Sequence, residues 1–184
     1  MIVCAGRNET FPFATTIGVG LVESAMSLTQ LCLFNKPDYL IFIGSAGCYE
    51  NSGYEIFDIV ESSIGSNIEL SFLNNDSYTP LDNVVKCEKN LRNDTIVNSS
   101  NYITTNSKLS KEFKQYGVGI ENMEFFSVLR IAQEFDIDVK GIFVITNNTD
   151  KNAHQDFISN HKEAMDKLVK YLNDKNIIVS SKNK

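Results

Sequence analysis

Residues 17–50 decide the fold: Ile17-Gly18-Val19-Gly20, then Leu21 to Lys36, then Pro37-Asp38-Tyr39-Leu40-Ile41-Phe42-Ile43-Gly44-Ser45-Ala46-Gly47 and the loop to Glu50. The order reads as a glycine turn, a helix, a buried strand and a second glycine turn. Gly18 and Gly20 permit tight backbone turns and close approach to a ligand. Val22, Ala25, Met26, Leu28, Leu31 and Cys32 recur at spacings of three and four, which predicts one apolar helix face. Pro37 ends that helix because it has no N–H to donate and restricts the residue before it. Tyr39 to Ile43 has no polar break, as expected of a parallel strand covered on both faces. Gly44-Ser45-Ala46-Gly47 then falls at the strand's carboxyl end, where open α/β sheets bind ligands.

Working outward, Ile2-Val3-Cys4-Ala5 is a short buried strand ended at Gly6, with Arg7-Asn8-Glu9 as a polar loop at its carboxyl end. Phe11 to Ile17 reads as another strand, which Pro12 confines to a strand start or an edge. Glu55 to Glu61 alternates as a strand with one wet face, and Ile64 to Leu73 extends it or pairs with it. Asn74 to Asn83 is a surface loop by its Asn, Asp, Ser and Pro content. Val84 to Arg92 fits a short helix or a strand, and Asp94 to Asn98 a strand. Lys108 to Tyr116 is a short charged helix, and Gly117 to Ile120 is a brief apolar segment. Met123 to Phe135 is a second strong helix with Met123, Phe126, Leu129, Ile131, Ala132 and Phe135 on one broad face. Gly141-Ile142-Phe143-Val144-Ile145 is the second fully apolar strand, capped by the polar turn Asn147-Asn148-Thr149-Asp150. Asp156 to Leu172 is a long amphipathic closing helix. Apolar strands alternating with helices predict a single α/β domain over residues 1–184, with a mixed, mostly parallel central sheet flanked by helices.

The 184 residues suffice for one domain with a substantial core. A net charge of −6 argues against a nucleic-acid partner. No apolar run reaches the ~20 residues that cross a bilayer, which argues against a membrane partner. Cys4, Cys32, Cys48 and Cys87 show no C-x-x-C pairing and stand apart in sequence from both histidines, so no metal or cofactor is expected. Buried reduced thiols and the lack of a signal segment predict a cytoplasmic protein. The tail from Ser180 reads as a frayed terminus.

Three polar turns follow apolar strands: Arg7-Asn8-Glu9, Ser45-Ala46-Gly47 and Asn147-Asn148-Thr149-Asp150. Parallel strands would bring them to one sheet edge. Glu124 opens a helix, where the dipole favours a carboxylate. Structural roles fit the same residues: Glu121 and Glu124 as helix-start acids, Ser45 as a turn cap, Asp150 as an N-cap or solvated acid. His154 and His161, seven apart, fall on one face of the closing helix as core-edge histidines.

Gly18-Val19-Gly20 through Gly44-Ser45-Ala46-Gly47, Glu121-Asn122-Met123-Glu124, and Ile145-Thr146-Asn147-Asn148-Thr149-Asp150 followed by Ala153-His154 and Phe157 resemble the nucleoside phosphorylase and nucleosidase superfamily. The branch most similar is the methylthioadenosine/S-adenosylhomocysteine nucleosidases. The resemblance implies hydrolysis of the N-glycosidic bond of a purine ribonucleoside or methylthioadenosine-type nucleoside. It implies that Glu124 accepts hydrogen bonds from the ribose hydroxyls, that Met123 packs under the sugar, and that Ser45, Ala46 and Gly47 line the sugar and base pocket. Tyr102 and Ile103 fall where the family stacks on the base and reads its edge. Glu9 lies near the position of the carboxylate that activates the attacking water, and Asn147 falls at the general acid. A homo-oligomer, first a dimer, is implied as well.

The sequence departs from the pattern in several places. The acid is an amide at Asn147. The nucleosidase arginine on the preceding strand falls at Phe143, and the phosphorylases' phosphate-binding arginine falls at Phe42. A helix and strand expected between Glu9 and Phe11 have no room. Two alternatives follow: a purine nucleoside phosphorylase, and a catalytically depleted nucleoside-binding protein on the same fold.

Overall fold

The computed structural model describes residues 1–87 and 94–178. The chain runs β1 (Ile2–Cys4), β2 (Thr15–Thr16), α1 (Gly20–Asn35), β3 (Tyr39–Cys48), β4 (Ile59–Ser62), β5 (Ile64–Ser66), α2 (Leu70–Leu73), β6 (Val84–Lys86) and β7 (Ile96–Ser99). It continues with α3 (Ser107–Glu112), a 3₁₀ turn (Phe113–Tyr116), β8 (Val118–Asn122), α4 (Phe125–Glu134), β9 (Asp138–Asn148) and α5 (Ala153–Asp174).

β3 is the hinge of the sheet. Along one edge it pairs in parallel with β9, from Tyr39 opposite Asp138 to Cys48 opposite Asn148. It also pairs in parallel with β1 through Ile41 to Ile43, and its last two residues, Gly47 and Cys48, meet Glu121 and Ile120 of β8 in antiparallel fashion. From β8 the sheet continues through β7 and β5 to β6, while β4 closes the other side against β9. Among the described residues five of the eight pairings are parallel, so the sheet is mixed and mostly parallel. Helix α4 covers one face with α1 packed on it, and α5 covers the other. Among the described residues, no helix is long and apolar enough to cross a membrane.

Several expectations need correction. Gly44 to Gly47 is not a turn: β3 continues through it, and so does β9 through Asn147 and Asn148. The two strands extend together past the point where apolar composition stops, with a register irregularity between Ala46 and Gly47. Pairing with β9 keeps the backbone extended where glycine content suggested reversal.

The buried stripe of α1 is Gly20, Ser24, Leu28 and Cys32, an i, i+4 series of small residues around one leucine. Val22 and Met26, expected inside, are 64% and 69% exposed. The small stripe lets α1 lie close to α4, where Ser127 Oγ donates to the Leu21 carbonyl at 2.8 Å.

Only Thr15 and Thr16 of the Phe11–Ile17 segment form a strand, and the wet-faced strand begins at Ile59 rather than Glu55. Ile64–Leu73 divides into β5 and the short α2, and the Val84–Arg92 segment opens as a strand before leaving the described residues. The tail from Ser180 also lies outside them. At the amino end, Gly6 and Glu9 exchange backbone hydrogen bonds of 3.0 and 3.2 Å in a tight reversal, and β2 returns beside β1 with Val3 opposite Thr15. That reversal replaces the helix-containing crossover that usually joins parallel strands.

Candidate active site

The carboxyl ends of β1, β3, β8 and β9 surround a cavity of about 290 Å³. Glu9, Ser45, Ala46, Gly47, Tyr102, Ile103, Met123, Glu124 and Asn147 all line it. These residues come from five separate stretches of chain, and the parallel register of β3 with β1 and β9 is what places their ends together.

Glu9 enters from the β1–β2 loop. Ser45 Oγ donates a short hydrogen bond to its Oε1, and the Ser45 N–H lies 3.2 Å from Oε2. Gly44 makes the approach possible: a Cβ there would stand 2.7 Å from Glu9 Oε2 and 3.4 Å from the Phe42 ring. Burial raises the Glu9 pKa, against the Ser45 hydrogen bonds and the nearby His161 charge, both of which lower it. His161 Nε2 is buried without a hydrogen-bond partner, and its ring meets Phe157 edge-on at 5.0 Å.

Glu124 sits just before α4, yet its partner is the start of α1. The Gly20 N–H donates to Oε1 at 2.9 Å, and the Met123 N–H and Asn122 Nδ2 reach Oε2 at 3.2 and 3.1 Å. Asn101 Oδ1 accepts from the next amide of α1, Leu21, at 2.9 Å. These contacts satisfy amide donors that a helix start leaves open, and the helix dipole favours the negative charge. Gly20 has φ of +82°, and a Cβ on it would strike Asn101 at 2.7 Å, so this turn requires glycine. Burial pushes the Glu124 pKa up to about 7; the Gly20 N–H opposes the shift and the Glu9 charge adds to it.

On the opposite wall, Asn147 is buried at the end of β9. Its Oδ1 accepts from Thr146 Oγ1 at 2.9 Å, and its Nδ2 donates to the Asn148 carbonyl at 3.1 Å. Tyr102 and Ile103 stand at the rim, both largely exposed. Arg7, also at the mouth, is paired with Glu23 at 3.3 Å across an exposed surface.

Phe42 and Phe143 are fully buried and pack with Phe125, ring centres 5.1 to 5.9 Å apart. Neither presents a cation to the cavity. Gly141 makes room for the cluster, since a Cβ there would meet the Phe143 ring at 2.4 Å.

Sequence reading missed Glu121 as a wall of this site. It belongs to β8, not to the start of α4, and its carboxylate is held by Tyr49 Oη at 2.7 Å and by the Thr104 N–H and Oγ1 at 2.9 and 2.7 Å. Burial raises its pKa, against those three hydrogen bonds. The available signal was position: Glu121 pairs with Gly47 across the sheet. His154 and Phe157, at the start of α5, also line the cavity.

No family model matches the sequence, and no curated protein matches it. Solved structures do. An aspartate-to-asparagine mutant of Helicobacter pylori MTAN with 5'-methylthioadenosine in its active site superposes with a TM-score of 0.78 at 15% identity, covering 94% of this chain and 95% of that one. A futalosine hydrolase mutant from Helicobacter pylori gives 0.77 at 16% identity with the same coverage. Streptococcus pneumoniae MTA/SAH nucleosidase in complex with 8-aminoadenine gives 0.74 at 16%, covering 93% of this chain and 95% of that one. The chain therefore has the nucleoside phosphorylase/nucleosidase fold, in the form seen in methylthioadenosine/S-adenosylhomocysteine nucleosidases.

Proposed function

We propose that the protein is a purine nucleosidase, hydrolysing the N-glycosidic bond of a purine ribonucleoside or methylthioadenosine-type nucleoside. The carrying observation is that Glu9, with Ser45 on its carboxylate, faces the same cavity as Glu124, Met123 and Asn147. Cleavage develops positive charge on the sugar, which nearby carboxylates stabilise. Glu9 is the base that activates water; burial makes it more basic than a free carboxylate, and Ser45 fixes its orientation. Glu124 accepts hydrogen bonds from the ribose hydroxyls, Met123 packs beneath the ring, Ala46 and Gly47 floor the pocket, and Tyr102 with Ile103 covers the base. Asn147 holds the departing base by its amide, which donates a hydrogen bond but transfers no proton.

Phosphorolysis is disfavoured, because Phe42 fills with aromatic packing the place where the resemblance sets the phosphorylases' phosphate-binding arginine. Asn147 supports a second reading, a nucleoside-binding protein that has lost turnover. A cytoplasmic homodimer belongs to the proposal. Its support is the free state of the four cysteines and the outward Val22, Met26, Leu33 and Phe34 of α1. The test is incubation with inosine, adenosine and methylthioadenosine, with and without phosphate. Free base in both conditions supports hydrolysis; release only with phosphate overturns it; saturable binding without release selects the second reading.

A further inference from the structure

His161 of α5 has no part in the sugar-holding or base-holding walls, yet its ring is half-buried and its Nε2 is wholly buried with no hydrogen-bond partner. Buried polar atoms are nearly always paired, so an unpaired one calls for a reason. Strand alternation says what lies near it. Phe42 and Ala46 of β3 belong to the core under α4, whereas Cys4, Ile43, Val144 and Ala164 form the core under α5. Ser45, two residues beyond Ile43, therefore presents its side chain to the α5 face. Pairing of β3 with β1 stops at Ile43, and there the Ser45 N–H and hydroxyl turn to Glu9. The Glu9 carboxylate is thus anchored by a hydroxyl on the α5 side of the sheet.

α5 is fixed over the same level of the sheet. Asn160 Nδ2 donates to the Thr146 carbonyl at 2.9 Å, and Thr146 Oγ1 reaches the Ala46 carbonyl at 3.3 Å. His161 follows Asn160, one turn before Ala164 of the α5 core, and its ring meets Phe157, which lines the cavity together with Glu9. Burial raises the Glu9 pKa, and a charge on His161 lowers it. The other ionisable groups around this turn do not take that place. Burial pushes the Cys4 thiol up to about 11, which leaves it neutral near pH 7. On α5, His154, Lys162 and Glu163 are exposed, and Glu163 pairs with Lys167 at 3.4 Å. Asp150, in the turn before α5, accepts from the Asn152 N–H at 2.7 Å, and Asp58, beside Phe57, accepts from the Glu55 N–H at 2.8 Å. Glu124 is a second carboxylate in the cavity, and the Glu9 charge acts against its ionisation.

We propose that His161 is a positioning residue for water activation: its protonated imidazole, on the sheet face that Ser45 shares, keeps the Glu9 carboxylate ionised in spite of its burial. The catalytic consequence rests on the nucleosidase reading of the cavity; the coupling of the two side chains does not. A buried carboxylate serves as a general base only in the fraction of molecules where it carries charge. A cationic neighbour widens that range on the acid side.

The test has two readouts on the intact protein and on His161→Gln. The first is a carbon-13 NMR titration of the glutamate carboxylates, with the Glu9 signal assigned by its loss in Glu9→Gln. In His161→Gln the Glu9 titration should move to higher pH; an unmoved Glu9 signal overturns the coupling. The second is the pH profile of base release from inosine, adenosine and methylthioadenosine. His161→Gln should lose about tenfold at about pH 5, the equivalent of one pH unit, and the loss should shrink as pH rises. A loss of equal size at every pH marks a merely structural histidine and overturns the proposal. No base release by the wild type at any pH overturns the nucleosidase reading, and the carboxylate titration then decides the coupling alone. His161→Phe, which keeps a ring against Phe157, serves for both readouts should His161→Gln fail to fold.

Discussion

β3 and β9 each carry two kinds of residue a few positions apart. At Phe42 and Phe143 they build a dry aromatic cluster with Phe125; at Ser45 and Asn147 they open into a polar cavity. Gly44 joins the two regions: a Cβ there would meet the Glu9 carboxylate and the Phe42 ring alike. The difference teaches how the site is tuned. A cation at Phe42 or Phe143 would hold the carboxylates ionised and would attract an anion. Phe42 and Phe143 put no cation there, and burial raises the affinity of Glu9 and Glu124 for protons.

The largest effect expected on the polar side is from Glu9→Gln. Base release should fall by about 10²–10⁴-fold, with nucleoside binding retained in a calorimetric titration. On the apolar side, Phe143→Ala should cost roughly 3–5 kcal/mol of stability, read by urea unfolding.

Glu124→Gln joins the two regions. The lost charged hydrogen bonds should weaken nucleoside binding by roughly 1.5–3 kcal/mol. The variant should also flatten the pH dependence of the wild type. With a folded pKa of about 7 against an ordinary 4.5, folded Glu124 keeps a proton that the unfolded chain has released. Wild-type stability should therefore fall as pH rises from about 4.5 to about 7 and level off above. Nucleoside affinity should move the opposite way, rising through pH about 7 as the carboxylate ionises. Equal pH profiles for wild type and Glu124→Gln would contradict this.

The smallest effect is at Asn147→Asp: base release from adenosine should rise and that from inosine fall, each by roughly tenfold, below the 10²–10⁴-fold of a fully placed general acid.

Much of this was legible in the sequence. The apolar runs at Tyr39–Ile43 and Gly141–Ile145 marked the central parallel pair, and Pro37 marked the end of α1. Polar residues following those strands pointed to Glu9, Ser45 and Asn147 at one sheet edge, while Met123, Tyr102 and Ile103 came from the family resemblance. What the sequence hid was set by neighbours. Extension of β3 through Gly44–Gly47 depends on a partner strand 100 residues away. The buried stripe of α1 is made of Gly20, Ser24 and Cys32, whose worth lies in smallness rather than hydrophobicity. Glu121 looked like a helix-start acid because its donors, Tyr49 and Thr104, lie 72 and 17 residues away.

The measurement that bears most directly on the account is a side-by-side assay of wild type and Glu9→Gln in phosphate-free buffer, following free purine from inosine, adenosine and methylthioadenosine. The account predicts base release by the wild type and a loss of at least about 100-fold in the variant. Equal release by both proteins, or saturable nucleoside binding by the wild type with no free base, would contradict it.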